Sequence, residues 1–407
     1  MTAQILEPGS VLGVLGGGQL GAMFAGAARR LGYRVAVWDP DRDAPAHQLA
    51  DDSFTAPFLD VETRDRFSQT VRAVTYEWEN VPAGLCEWLE LRHPVRPSGS
   101  VLRIIQDRIQ QKQFLTHHNL PVAPFAVIES PDQLPNAIKA IGLPALCKTA
   151  RSGYDGKGQW LIQDPGDAAQ VSRELHAGTR SGQRWILERV VAFERELSVL
   201  VVSGPNGNCR TYPPVDNRHE RGILRLTLAP TSLPAETAAN ASHLAVQAVS
   251  ALNSPGVFCV EFFHTADGNL FINEIAPRPH NSGHYTLDAC TVSQFEQQVR
   301  VLCGATIGEV QLLRPAAMVN LIGDEVRIVT AGSGYRDLMA IPGAVLHLYG
   351  KRTIRTGRKM GHVTFLAEEK TVAEERALWL MKRLAEIPFS TLAGENAPVQ
   401  RTEPPVV

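Results

Sequence analysis

The residues of this chain best suited to chemistry lie in two hairpin-like stretches. In the first, Val260-Glu261-Phe262 and Ile272-Asn273-Glu274-Ile275 flank Asp267-Gly268. An Asp-Gly pair between two apolar runs is a strong hairpin signal and favours a two-residue type I′ turn. Such a turn sets Glu261 directly opposite Glu274 on one face, with Cβ atoms about 4.5–5.5 Å apart. Two like charges so close are unfavourable until a cation bridges them. Oxygen ligands alone suit Mg²⁺, which takes one or two carboxylates together with substrate phosphates. A register slipped by one residue would separate the pair and abolish the site.

In the second stretch, Leu143 to Ile162, an apolar run carrying Lys148 leads into Gly153, Tyr154, Asp155, Gly156, Lys157, Gly158 and Gln159, and a second apolar run follows. The pattern predicts two strands joined by a glycine-rich lid. Glycines let backbone N–H groups approach phosphate oxygens, and Lys148 and Lys157 add positive charge. The loop is not a Walker motif, because Gln159 and Trp160 stand where Lys and Ser/Thr belong. A mobile surface hairpin with solvated lysines is the plain alternative. Two further clusters are rich in donors: Arg278-Pro279-His280-Asn281-Ser282-Gly283-His284, able to hold a small anion, and the basic run from Tyr349-Gly350-Lys351 to Arg358-Lys359-Met360-Gly361-His362, which as a solvated hairpin would do nothing.

These residues need a scaffold, and the rest of the chain supplies signals for one. Val11 to Leu15 and Tyr33 to Trp38 read as strands around a helix that opens on Gly16-Gly17-Gly18-Gln19-Leu20-Gly21, with Asp39 at the end of the second strand. Alone this βαβ unit says dinucleotide binding, although a helix N-terminus beside glycines holds any phosphate, and a tight turn needed for packing is the plain alternative. A buried strand near 71–81 ends in Glu77 and Glu79, either ligand-facing or solvated. His93 to Gly99 breaks the pattern and marks a first domain boundary, and one helix capped by Ser98 or Ser100 then runs through Asp107-Arg108 and Lys112 to stop before Pro121. Strands are expected at 185–191 and 196–202. Glu188 with the backbone of Arg189, Val190 and Val191 could meet an adenine edge and Glu196 a ribose, but on spacing alone an ordinary β-sheet is the stronger reading.

With 407 residues, 20% charged residues and a net charge of −2, the chain has material for two or three domains and no electrostatic footprint for nucleic acid or membrane. Its six cysteines include no C-x-x-C, which fits a reduced, cytoplasmic enzyme without disulfides or a zinc ribbon.

Taken together, Gly-Gly-Gly-Gln-Leu-Gly (16 to 21), Tyr-Glu-Trp-Glu-Asn-Val (76 to 81), Asp107-Arg108, the lid, Val-Glu-Phe with Asn-Glu-Ile, Pro-Arg-Pro-His-Asn-Ser-Gly-His and the basic C-terminal motif resemble the ATP-grasp ligases, and among them the 5-(carboxyamino)imidazole ribonucleotide synthase family of purine biosynthesis. Trp78 stands where an aliphatic residue is commoner. The resemblance implies an α/β fold of ATP-grasp architecture: a Rossmann-like parallel-sheet domain (1–99), an ATP-grasp domain (100–310) with its lid at about 122–190, a small, mostly β C-terminal domain (311–395) and a tail (396–407). It implies ATP contacts from Arg108, Lys148, Gly153, Tyr154, Asp155, Gly156, Lys157, Gly158, Gln159, Glu188, Arg189, Val190, Val191, Glu196, His219, Asn273 and Glu274, and Mg²⁺ on Glu261 and Glu274. Bicarbonate falls to Arg278, His280 and Asn281. The ribonucleotide falls to Tyr154, Asp155, Arg278, Lys351 and Arg358, with Gly18, Gln19, Leu20 and Glu77 at the first glycine loop; Arg278, His280, Asn281 and Lys351 are the implied catalytic group. The implied reaction joins 5-aminoimidazole ribonucleotide and bicarbonate at the cost of ATP, in a homodimer that binds neither nucleic acid nor membrane. Formate-dependent glycinamide ribonucleotide formylation is a neighbouring alternative; a nicotinamide-dependent oxidoreductase and a non-catalytic nucleotide-binding module are more distant ones.

Overall fold

A computed structural model describes residues 5–151, 158–178 and 182–386. The N-terminal part comprises β1 (Val11–Leu15), α1 (Gln19–Arg30), β2 (Arg34–Trp38), β3 (Asp52–Phe54), α2 (Val61–Thr70), β4 (Ala73–Tyr76) and α3 (Ala83–Glu90). Its four strands form one parallel sheet in the order β3-β2-β1-β4. The strands are near-continuous apolar runs because both faces of a parallel sheet are covered: Leu12, Val14, Val35 and Val37 pack in one cluster with Phe24 of α1, and Leu15, Ala36 and Trp38 in another with Phe67 of α2.

Between 98 and 120 the single expected helix is two, α4 (Gly99–Ile105) and α5 (Arg108–His117). Ser98 Oγ accepts from Val101 N–H at 3.3 Å, and buried Asp107 then caps the second helix, its Oδ1 accepting from the N–H groups of Ile109 (3.1 Å) and Gln110 (3.3 Å). An Asp side chain that satisfies a helix N-terminus competes with continuation of the helix before it.

The lid subdomain holds β5 (Phe125–Ile128), α6 (Leu134–Ile141), β6 (Ala145–Thr149), β7 (Gln159–Ile162), α7 (Pro165–Gly178) and β8 (Trp185–Arg189), with an antiparallel sheet ordered β5-β8-β6-β7. β6 and β7 form the expected hairpin, Lys148 pairing with Gln159. The glycine-rich tip, including Gly153, Tyr154, Asp155, Gly156 and Lys157, lies outside the described residues.

The central part is β9 (Phe193–Ser203), β10 (Cys209–Thr211), β11 (Val215–Glu220), β12 (Ile223–Ala229), α8 (Ala235–Ala251), β13 (Gly256–Thr265), β14 (Leu270–Ala276), α9 (Thr286–Ala289) and α10 (Gln294–Leu302). The C-terminal part adds β15 (Ala316–Ile322), α11 (Glu325–Thr330), α12 (Gly332–Met339), β16 (Ala344–Leu348), β17 (Lys359–Leu366) and α13 (Lys370–Glu386). One sheet, ordered β14-β13-β9-β11-β12-β15-β17-β16 with β10 on the edge of β9, runs through both. Alternation sorts its residues. Leu197, Val199 and Val201 of β9 and Phe258, Val260 and Phe262 of β13 pack on one face with Ala241, Ala245 and Val249 of α8. Leu200, Val202, Val257 and Cys259 point to the other, and by the same period so do Glu196, Ser198 and Glu261.

The β13–β14 hairpin corrects its own prediction. Thr265 N–H donates to Asn269 O at 3.0 Å and Gly268 N–H to Thr265 O at 2.9 Å, so the loop has three residues, with Gly268 left-handed at φ +82°, rather than two in a type I′ turn. Near the turn this shifts the partners by one, His264 facing Leu270 and Phe262 facing Ile272. A bulge between Glu261 and Phe262 absorbs the shift, and Glu261 still stands directly opposite Glu274. The bulge does more. Ile272 and Ile275 both enter the helix-covered core, so the two residues between them, Asn273 and Glu274, turn to the opposite face, the one carrying Glu261.

Candidate active site

The carboxylate pair is the floor of the site. Burial, then the charge of Glu274, push the Glu261 carboxyl up to about 8, so without a cation Glu261 holds a proton at neutral pH. Two carboxylates and a carboxamide on one face form an all-oxygen set that fits Mg²⁺. The bulge that assembles it is held from behind by Lys112 of α5, whose Nζ donates to the carbonyls of Ile272 (3.2 Å) and Asn273 (2.9 Å).

The same ammonium reaches across to the lid. Lys112 Nζ lies 3.3 Å from Glu188 Oε2 on β8, and Lys148 Nζ of β6 lies 3.2 Å from Glu188 Oε1. Burial opposes the charge on Glu188, yet Lys112 and Lys148 bring its pKa down to about 2. Glu188 is therefore a buried counter-ion to both ammonium groups. Two of the backbone donors expected beside it are also taken: Arg189 N–H donates to Pro124 O (2.9 Å) and Val190 N–H to Pro144 O (3.0 Å), while Val191 O accepts from Phe193 N–H (3.0 Å). Farther along the face, Glu196 Oε2 is 2.8 Å from His219 Nδ1. Burial works against the imidazolium, but Glu196 and Glu261 raise the His219 pKa all the same. Arg108 Nη1 donates to Thr149 O (3.0 Å), at the base of the lid hairpin where Gly158 and Gln159 return.

Arg278 sits just past β14, its Nη2 2.6 Å from Glu79 Oε1, and its buried Nε–H has no partner among the described residues. Buried donors are almost always satisfied, so this one marks a seat for an acceptor such as an anion. Burial, then Arg278, hold the neighbouring His280 well below its usual pKa, leaving a neutral imidazole with Nε2 3.4 Å from Glu261 Oε1. The carboxamide of Asn281 forms a reciprocal pair with Asn320 of β15, Nδ2 donating to Asn320 Oδ1 at 3.1 Å and Oδ1 accepting from Asn320 Nδ2. This pair joins two parts of the great sheet and leaves the second Nδ2 proton of Asn281 for another acceptor.

The first glycine loop is also partly occupied. Gly18 N–H and Gly21 N–H donate to the two oxygens of Glu77 (2.5 and 2.7 Å), and Gly17 N–H donates to Asp39 Oδ2 (2.6 Å). A Cβ on Gly18 would stand 2.6 Å from Glu77 Oε1 and would push that carboxylate away from its N–H donors. Gln19 and Leu20 supply the remaining N–H groups at this helix start. Asp39 Oδ1 accepts from Asp41 N–H (2.7 Å) as well, which leaves that carboxylate engaged with its own loop and not poised for a ribose. No binding of NAD or NADP at micromolar concentration is therefore expected by calorimetry, and binding that competes with a sugar phosphate would overturn this. The basic loop after β16 closes over the same region. Burial, then Arg358, push Lys351 down to about 8; its Nζ donates to Lys359 O (2.7 Å), Arg358 Nη1 to Thr353 O (2.7 Å), and Arg352 pairs with Asp43 (2.7 Å).

Asp288, His347 and His362 also bring ligand atoms within 4.8 Å of one another. The two imidazoles are stacked, centroids 4.5 Å apart and planes at 14°, so one ion cannot lie in both ring planes; the group is a packed polar layer.

Comparison with known proteins places this geometry. Residues 10–106 match the ribonucleotide synthetase preATP-grasp domain, 113–295 the ATP-grasp domain and 316–376 the phosphoribosylaminoimidazole carboxylase C-terminal domain. The N5-carboxyaminoimidazole ribonucleotide synthase of Bacillus subtilis is 42% identical over 383 residues, 93% of this chain and 98% of that protein. This chain belongs to the N5-carboxyaminoimidazole ribonucleotide synthase family. Among solved structures, the ADP complex of an N5-carboxyaminoimidazole ribonucleotide synthetase superposes with a TM-score of 0.87 at 37% identity, covering 94% of this chain and 98% of that one. The Aspergillus clavatus synthase in complex with ADP and 5-aminoimidazole ribonucleotide gives 0.85 at 30% identity, covering 93% and 99%.

Two further cations belong to this synthase-family site, Lys112 and Lys359. Lys112 stands between Ile109 and Leu115 at helical spacing, all three buried on α5; a lysine on an apolar stripe signals a buried cation with a partner. Lys359 acts electrostatically on Glu261, His219 and His280, and only its place in the basic run could have pointed to it.

Proposed function

We propose that this chain, an ADP-forming ATP-grasp ligase, carboxylates the amine of 5-aminoimidazole ribonucleotide with ATP and bicarbonate, and that the residues above carry the parts of that reaction. Its products are 5-(carboxyamino)imidazole ribonucleotide, ADP and phosphate, a step of purine biosynthesis. A bicarbonate oxygen attacks the γ-phosphorus as the bond to the ADP oxygen breaks. The resulting carboxyphosphate, or the CO₂ it releases, is captured by the substrate amine, and inorganic phosphate leaves. Phosphoryl transfer asks the protein for position and charge rather than a nucleophile. Glu261, Asn273 and Glu274 would hold Mg²⁺, which neutralises phosphate charge when bound. Lys148 and Arg108 at the lid base face the nucleotide, with Glu196 and His219 for its sugar. Arg278 through its Nε–H, which has no partner among the described residues, His280 through Nε2 and the Asn281 amide orient bicarbonate. Lys351, Arg358, Glu77 and the N–H groups of Gln19 and Leu20 take the ribonucleotide. The single observation that carries the assignment is the Glu261–Glu274 pair beside the unsatisfied Arg278 donor.

The deciding experiment measures ADP release with 5-aminoimidazole ribonucleotide and bicarbonate each omitted in turn. Full release with formate and glycinamide ribonucleotide instead would overturn the proposal. Among the described residues no helix is long and apolar enough to cross a membrane; a cytoplasmic homodimer, and domain limits at 1–99, 100–310 and 311–395, complete the proposal and are open to sedimentation and limited proteolysis.

Lys351→Ala or Arg358→Ala is expected to raise KM for the ribonucleotide about 10- to 150-fold, the worth of a charge-assisted hydrogen bond. KM for ATP should stay within a few-fold, because Lys148 and Arg108 already face the triphosphate. An equal rise in both values would assign the basic loop to the nucleotide instead.

A further inference from the structure

We infer that Ser198 and Ser282 are positioning residues that hold His280 as the tautomer with its proton on Nε2, so that this N–H faces Glu261 and the anion subsite. The inference rests on the reading of His280 as a bicarbonate contact.

A continuous row of buried polar groups ends on that imidazole. Thr227 Oγ1 donates to Asn217 Oδ1 (3.0 Å), Asn217 Nδ2 to Ser198 Oγ (2.9 Å), and Ser198 Oγ to Ser282 Oγ (2.7 Å). Ser282 Oγ is 2.8 Å from His280 Nδ1, and Ser282 N–H also points at that nitrogen, at 3.4 Å. A hydroxyl has one proton to give. With Ser198 donating into it, Ser282 has its own proton left for Nδ1 at 2.8 Å, a far better acceptor than Cys259 Sγ at 3.9 Å. A backbone N–H can only donate. Nδ1 therefore faces two donors and must be bare, and a neutral imidazole then carries its proton on Nε2, 3.4 Å from Glu261 Oε1. The opposite tautomer would set a proton on Nδ1 against two donors and present a lone pair to an incoming anion.

The row is costly to build. Thr227 and Ser282 are fully buried and Ser198 is 1% exposed, on a sheet face otherwise lined by Leu200, Val202 and Cys259. Apolar side chains would pack there without the requirement that every member be satisfied. Ser198 stands opposite Glu261 in the β9–β13 register, and Ser282 lies in the short turn Asn281–Gly283, so the row ties the sheet floor to the segment that presents His280.

The test reads the tautomer directly. In full-length protein labelled with ¹⁵N-histidine, long-range ¹H–¹⁵N correlation distinguishes bare from protonated ring nitrogens, and His280→Gln identifies the His280 signals. Wild type should show bare Nδ1 and protonated Nε2. Ser282→Ala removes the hydroxyl donor; Asn217→Asp, nearly isosteric, accepts the Ser198 proton and reverses the row. Both should move the His280 Nδ1 signal toward the protonated position and raise KM for bicarbonate about 2- to 12-fold, with KM for ATP within twofold. Ser198→Thr, which keeps the hydroxyl, should behave as wild type. Unmoved His280 signals in Asn217→Asp, or in Ser282→Ala where it folds, overturn the inference. Unchanged bicarbonate KM in His280→Gln would overturn instead the anion reading on which it rests, whatever the tautomer.

Discussion

Glu274→Gln should lower kcat/KM for ATP at limiting Mg²⁺ by about 100- to 1,000-fold, the usual loss when one electrostatic stabiliser of a transition state is removed, without loss of fold. Glu261→Gln should do the same. Each change leaves one carboxylate to hold the cation alone, yet in metal-free protein each also relieves the repulsion between side chains that face each other in the β13–β14 register. The pH dependence of the metal-free protein separates the two effects. The Glu261 carboxyl is raised from 4.5 to about 8, so between those values the folded chain holds a proton that the unfolded chain has lost, and stability falls as pH rises through the window. Glu261→Gln lacks that contribution, and its thermal midpoint should exceed that of wild type at pH 8 by more than at pH 5. Mg²⁺ must displace the same proton, so its affinity for wild type should climb toward pH 8. Scanning calorimetry with and without Mg²⁺ checks both; near-normal activity of both variants at limiting Mg²⁺ would remove the pair from the metal site.

Glu188→Gln should destabilise the protein by about 3–5 kcal/mol, the typical cost of removing one partner from a buried ion pair. Glu188 and Lys112 are almost fully buried and Lys148 nearly so, and the change would leave two ammonium groups facing a neutral amide. Burial already lowers the pKa of Lys112 and Glu188 opposes that shift, so without the carboxylate Lys112 should shed its proton more easily. The wild-type advantage has a defined pH window. Glu188 is lowered from 4.5 to about 2, so its stabilisation is fully present above about pH 4.5 and fades as pH falls toward 2. Urea unfolding at pH 7 and at pH 3 measures both limits; equal stability of variant and wild type at pH 7 would mean the triad is solvated rather than buried. Because Lys112 also holds the carbonyls of Ile272 and Asn273, loss of its charge should loosen the bulge under Glu274 and weaken Mg²⁺ binding in the same variant.

What the sequence by itself determined is local and periodic. Alternation in β9 and β13 decides which side chains meet α8 and which meet the ligand face, the run Val11–Leu15 with its glycines declares a βαβ unit, and the lid hairpin follows from two apolar runs around glycines; each is settled by neighbours within a few residues. The opposition of Glu261 and Glu274 was legible too, although by a route in which an unforeseen loop residue was offset by an unforeseen bulge. Tertiary structure decided the rest, because the groups that settle it are far apart in the chain. Alternation alone puts Asn273 and Glu274 on opposite faces; the bulge, anchored by Lys112 from 160 residues away, puts both beside Glu261. Glu188 and Asn281 carry the residue types expected of ligand contacts, but only the folded chain sets Lys112 and Lys148 against the first and Asn320 against the second. Glu77 fills the helix start of a glycine loop 56 residues earlier. A buried polar group must find a partner, and which partner it finds depends on how distant segments pack, a matter on which residue spacing is silent.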